Sequence, residues 1–275
     1  VTVAGRPIWE PIAGKGMWMP APLIEMADPT AVIEAARDLG LTHIYLEAGA
    51  SGRGFYGRQG IDRLVPIAHR NGIKVIGWVL TSLDDLPSDV SLCTAIASYR
   101  TPSGDHLDGI APDIEQNMDA TDVTAFSQIL RAKLGPESLI VGVIYPAGTW
   151  IGQQHPVAAI LGRSFNALAP MAYWHESRHP FTDEFVSGFI RHAVVDIHTA
   201  TDNPRYPVAV IGQTYDSFGR DGTGPDSPSG AEIAAALAAA RQDGAVGVSF
   251  FQWGTATPAE WNALKAFQWA PGGAP

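Results

Sequence analysis

The chain contains one cysteine, Cys93, so it can form neither an internal disulfide nor a cysteine-based metal cluster. Cys93 lies in an apolar stretch and is expected as a small buried hydrophobe. Cations are scarce, 18 Lys+Arg against 28 Asp+Glu, for a formal net charge of −10. That balance argues against nucleic acid and anionic membrane surfaces as partners, since both require clustered Lys and Arg. No apolar run approaches the roughly 20 residues needed to span a bilayer. A glycine-rich phosphate loop is missing as well, because Ala13-Gly-Lys-Gly16 precedes a strand instead of following one. No Gly-x-Ser-x-Gly element is present, which argues against a serine esterase. No cofactor is expected.

What is present is a repeated unit: a short apolar run, a polar loop, then an amphipathic stretch. Apolar runs fall at 16–20, 42–49, 73–80, 107–115, 139–146, 167–174, 207–215 and 246–254. Helical stretches fall at 29–39, 60–70, 88–99, 120–134, 151–161, 183–199, 230–242 and 258–267, although 91–98 also reads as a strand. Eight such units in 275 residues, 46% of them apolar, predict an α/β fold of the (β/α)8 TIM-barrel type, with residues 1–275 as a single domain. The chain starts at Val1, and its eight Trp and low Lys+Arg content suit an extracellular carbohydrate-active protein, so secretion is the expectation.

Barrel chemistry sits at the C-terminal ends of the strands. Those ends carry Trp18, Glu47, Trp78, Asp113 and Glu115, Tyr145, Tyr173 and Trp174, Gln213, Tyr215 and Asp216, and Gln252 with Trp253. Aromatic faces beside amide and carboxylate edges suit a sugar ring, which offers C–H faces to stack on and hydroxyls to bond. The set predicts a saccharide cleft, although any single Trp could equally be rim packing. Within it, His106-Leu-Asp-Gly-Ile-Ala-Pro-Asp-Ile-Glu115 ends in two acids on one face of a strand, roughly 6–7 Å apart. Acids that close titrate together, one being pushed toward its protonated form, and such a pair can break an acetal bond. The plainer reading is a helix N-cap followed by a solvated acid.

The stretch Asp108-Gly-Ile-Ala-Pro-Asp-Ile-Glu115 resembles the fourth-strand pattern Asp-Gly-x-Asp-x-Asp-x-Glu of family 18 glycoside hydrolases, the chitinase-like barrels. Met171-Ala-Tyr-Trp174 resembles that family's Met-x-Tyr-Asp element on the sixth strand. Gly247-Val-Ser-Phe-Phe-Gln-Trp253 is similar to the eighth-strand segment whose Trp floors the central sugar site. The resemblance implies that Glu115 protonates the glycosidic oxygen and Asp113 orients an attacking N-acetyl group. It also implies that Tyr173 binds the acetamido carbonyl and Trp253 stacks beneath the sugar. Three positions depart from the family: Ala111 and Trp174 replace acids, and Ile114 replaces the usual aromatic.

Because supporting acids are missing, Glu47 and Asp216 stand as alternative second carboxylates for a non-acetylated glycan. Glu47, in Ile44-Tyr-Leu-Glu-Ala-Gly49, could instead form a structural ion pair with Arg53 or Arg58. A non-catalytic sugar-binding barrel is the rival from another class. His175-Glu-Ser-Arg-His179 matches the zinc-peptidase pattern, yet Pro180 biases His179 away from helical geometry, so a loop is expected there, no catalytic metal is assigned, and a metal-dependent peptidase stands third among the readings. From that loop, His175 or Glu176 could reach substrate. The loop from Ser217 to Gly230, rich in Gly, Ser, Asp and Pro, suits a cleft wall.

Overall fold

A computed structural model describes residues 2–3, 5–146, 156–177, 180–218 and 225–269. Eight parallel strands form the centre: β1 (Gly14–Met19), β2 (His43–Ala50), β3 (Lys74–Thr81), β4 (Gly109–Ile114), β5 (Val141–Ile144), β6 (Ala167–Pro170), β7 (Ala209–Gln213) and β8 (Gly247–Phe251). The ladder runs β6-β5-β4-β3-β2-β1-β8-β7. It closes through parallel bridges Leu168–Val208 and Met171–Ile211. This is the expected (β/α)8 barrel.

The helices are α1 (Ala21–Met26), α2 (Pro29–Asp38), α3 (Arg58–Arg70), α4 (Leu86–Ser98), α5 (Ala120–Leu134), α6 (Val157–Leu161), α7 (Asp183–Ala200), α8 (Gly230–Gln242) and α9 (Pro258–Ala266). Their apolar residues recur at helical spacing. In α3, Ile61, Leu64, Val65 and Ala68 form one stripe and are fully buried. Each large member of that stripe contributes about 1.5–3 kcal/mol by leaving water. The segment 91–98 is helix, with Cys93 fully buried as expected. The short α1 has no counterpart in the sequence reading, because Pro20-Ala-Pro22 looks like a loop; both prolines in fact sit at its start, where no N–H is required. Residues 151–155 of the fifth expected helix lie outside the described residues.

Alternation along the strands sorts side chains between two cores. Ile44, Leu46, Val75, Val79, Ile110, Ile114, Val248 and Phe250 face the helices. Trp18, Tyr45, Ile76, Trp78, Ala111, Val141, Val143, Ala169 and Ile211 fill the barrel, with Ile8 and Ile12 among them from the N-terminal segment. Gly16 is required where the interior leaves no room for a side chain: a Cβ there would lie 2.2 Å from His43 Nε2.

Lys15 ties the first unit to the last. It points outward from β1, is 2% exposed, and its Nζ donates to the carbonyls of Leu39 (2.8 Å), Leu264 (2.6 Å) and Phe267 (2.6 Å). Those oxygens belong to the C-terminal ends of α2 and α9, where a cation is favourable.

Candidate active site

Asp113 is the penultimate residue of β4 and faces the barrel interior near its mouth; Glu115 follows just past the strand end. Asp113 is 4% exposed. The indole N–H of Trp78, on neighbouring β3, donates to Asp113 Oδ2 at 2.9 Å. Trp78 is in register with Ala111, so the aromatic donor stands beside the position where the family pattern has an acid. Asp113 Oδ1 is buried without a hydrogen-bond donor. Burial, and next the charge of Glu115, push the Asp113 carboxyl well above the usual carboxylate range, against the opposing Trp78 bond. Both causes favour the protonated form of Asp113 beside Glu115. Tyr145, following β5, donates its hydroxyl to Glu115 Oε2 at 2.9 Å.

Phenols and one phenyl ring surround this pair. Tyr173 lies 5.5 Å edge-on from Tyr215 and 6.3 Å from Phe251. Phe251 also meets Trp78 at 5.6 Å and Tyr215 at 5.9 Å, both edge-on. Burial, followed by the neighbouring Tyr215 and the carboxylates Asp113, Glu115 and Glu176, raises the Tyr173 phenol well above its usual value. It remains a neutral donor at any physiological pH.

Several expected sugar contacts take other places. Trp18 is 1% exposed, deep in the barrel, stacked on Tyr45 at 4.0 Å, with its N–H on Ser249 Oγ at 2.8 Å. It lies below the mouth because β1 continues past it. Trp174 falls on the outward parity after β6 and is fully buried against the helices; its N–H donates to Glu232 Oε2 at 2.8 Å. Trp253 lies beyond the end of β8, where the chain turns and alternation is lost. It packs on Trp261 of α9 at 5.3 Å, toward the helix layer. Phe251, two residues earlier on the inward parity, is the eighth-strand ring at the mouth, and alternation from Ser249 would have located it.

The remaining candidates make local contacts of their own. Gln213 is fully buried; its Oε1 accepts from His175 N at 2.9 Å and its Nε2 donates to Tyr215 O at 3.3 Å. Gln252 contributes its carbonyl to Thr214 Oγ1 at 2.9 Å. Asp216 is exposed and accepts from Ser227. Glu47, 8% exposed, accepts from Ala21 N at 2.9 Å and from the Tyr56 hydroxyl. The tight return that brings Tyr56 in requires Gly57, where a Cβ would sit 2.6 Å from Ala48 Cα. The expected ion pair of Glu47 with an arginine is not formed: Arg53 stacks on Tyr56 at 4.4 Å and Arg58 on Phe55 at 4.2 Å.

The zinc-peptidase pattern does not assemble on a helix. Trp174–Glu176 is a 3-10 turn, and His175, 1% exposed, places Nε2 2.6 Å from Glu232 Oε2 and Nδ1 3.2 Å from the Asp226 carbonyl. His179 lies outside the described residues. Among the described residues no group of three His, Cys, Asp or Glu could hold a metal ion, and no helix is long and apolar enough to cross a membrane.

Against solved structures, the chain superposes on a class V chitinase from Pseudomonas fluorescens with a TM-score of 0.66 at 14% identity, over 92% of this chain and 99% of that one. It has the fold of the chitinase-like barrels. The spore cortex-lytic enzyme SleL from Bacillus cereus matches with a TM-score of 0.65 at 11% identity, over 93% of this chain and 74% of that one. A β-galactosidase from Marinomonas matches at 0.66 and 10% identity, over 92% and 58%. No family model matches the chain, and no curated protein does. Similarity at this distance carries the architecture; the chemistry has to be argued from the residues.

Proposed function

We propose that this chain is a glycoside hydrolase in which Glu115 is the general acid and Asp113 its proton-sharing partner. The observation that carries the reading is the Trp78–Asp113–Glu115–Tyr145 chain at the end of β4. A buried acid held neutral beside a second acid has few structural uses, because it costs stability and satisfies no helix end. In catalysis the Asp113 proton passes to Glu115, and Glu115 delivers it to the glycosidic oxygen as the bond breaks. Asp113 is then an anion held by the Trp78 N–H, placed to stabilise positive charge developing on the substrate.

The reading extends to substrate-assisted retention on N-acetylhexosamine units. There the acetamido oxygen attacks the anomeric carbon, Asp113 orients its N–H, and Tyr173 donates to its carbonyl. Polymers of such units suit the aromatic wall formed by Tyr173, Tyr215 and Phe251, and an extracellular place of action goes with them. The test is the anomeric form of the first-released product, followed by NMR. Retention on an N-acetylated oligosaccharide supports the scheme; inversion removes it in favour of direct attack by water.

A further inference from the structure

The mouth holds a third carboxylate that the proposed chemistry does not use. Glu176 is exposed and accepts from the Tyr215 hydroxyl. Its charge is felt at Tyr145, Tyr173 and Tyr215, the same phenols that sense Glu115. An exposed acid normally sits on a mobile loop. This one is fixed by its neighbours. Trp174 and His175 immediately before it are 0% and 1% exposed, and both engage the same oxygen, Glu232 Oε2. The His175 backbone is pinned on both sides: its N–H donates to Gln213 Oε1 at 2.9 Å and its carbonyl accepts from Ser217 Oγ at 2.8 Å. Glu232 itself is held by the α8 capping box with Ser229, and hydrogen bonds from His175 and Trp174 help keep its carboxyl below the usual range despite burial. Two buried anchors presenting one exposed acid at the mouth make a preorganised contact, because little ordering entropy is left to lose on binding.

We propose that Glu176 is a substrate-contacting carboxylate, accepting from a hydroxyl or amine donor of the sugar, and that His175 and Glu232 are its positioning residues. This rests on the glycosidase reading. Tyr215 already occupies one oxygen of Glu176, which leaves the second for the sugar.

The experiment is a double-mutant cycle on kcat/KM with Glu176→Ala, Glu176→Gln, Glu232→Gln and the Glu176→Ala/Glu232→Gln pair. Acetylated and deacetylated oligosaccharides serve as substrates, and each variant's fold is checked by thermal melting. Loss of a charge-assisted contact predicts a roughly 10–100-fold fall for Glu176→Ala. Glu232→Gln should lower kcat/KM in the wild-type background and cost almost nothing further once Glu176 is Ala. Rescue by Glu176→Gln identifies a hydroxyl donor; no rescue, together with preference for deacetylated substrate, identifies an amine. Wild-type activity in Glu176→Ala, or full additivity of the two substitutions, overturns the proposal while leaving the hydrolase reading intact. Absence of turnover in the wild type itself overturns both.

Discussion

The Trp78 indole N–H and Asp113 Oδ2 are 2.9 Å apart, and this one bond fixes which oxygen of Asp113 is free to face Glu115. An aromatic donor on the adjacent strand can hold the carboxylate after its proton has left, without bringing in another charge. Trp78 thus brings its N–H to Asp113 from beside Ala111, the position that the family pattern gives to an acid.

The Asp113 carboxyl is raised by burial and by Glu115, so the folded chain holds a proton there that the unfolded chain releases. Stability associated with this group is present at low pH and is lost as pH climbs from the ordinary Asp value, about 3.9, through the raised folded one. Asp113→Asn removes that penalty. The melting temperature at pH 7 should be unchanged or higher, while kcat falls at least about tenfold by loss of the shared proton. A variant that melts much lower would show that the charge of Asp113 supports the fold.

His69 follows the same sign in a higher pH range. Its ring nitrogens lie 3.0 Å from Asp105 Oδ1 and 2.9 Å from Asp108 Oδ2. The Asp108 hydrogen bond, against burial and with Asp105 helping, raises its pKa. The resulting stabilisation is complete below the unfolded value near 6.5 and disappears as pH rises through the folded value. His69→Gln should cost roughly 1 kcal/mol at pH 6 and progressively less at higher pH. Chemical denaturation at several pH values reads this directly, and a constant difference would contradict it.

Lys15 predicts a purely structural defect. Lys15→Met leaves three carbonyls at the ends of α2 and α9 without their donor. The expected loss is about 2–4 kcal/mol with the site geometry kept. Activity of the folded fraction should match wild type; a specific loss of activity at unchanged stability would refute this role.

Phe251 and Trp253 separate cleft from scaffold. Phe251→Ala should lower kcat/KM with a small change in melting temperature, since its ring stands among Trp78, Tyr173 and Tyr215. Trp253→Ala should cost roughly 2 kcal/mol through its lost packing on Trp261 and leave KM nearly unchanged. The reverse pattern would return the sugar-stacking role to Trp253.

The barrel was legible because apolar runs and helical stripes alternate with regular spacing, and strand alternation carries Asp113, Tyr145 and Tyr173 to one mouth. What the pattern could not supply was where each strand stops. Glu115 lies one residue past β4, while Trp253 lies two past β8 in a turn, and the ladder hydrogen bonds that decide this depend on the neighbouring strand. Parity alone would have sent Trp174 outward. Glu176 was legible as a possible substrate contact on its loop, but its mount was not, because His175 and Glu232 are far apart in the chain and only folding joins them.

The most direct test of the central claim is reducing-end release from N-acetylated and non-acetylated polysaccharides by wild type and Glu115→Gln. The account predicts release by wild type and a roughly 10²–10⁴-fold fall in kcat for the variant, with substrate binding retained. Equal release by both proteins, or saccharide binding by wild type without any release, would contradict it.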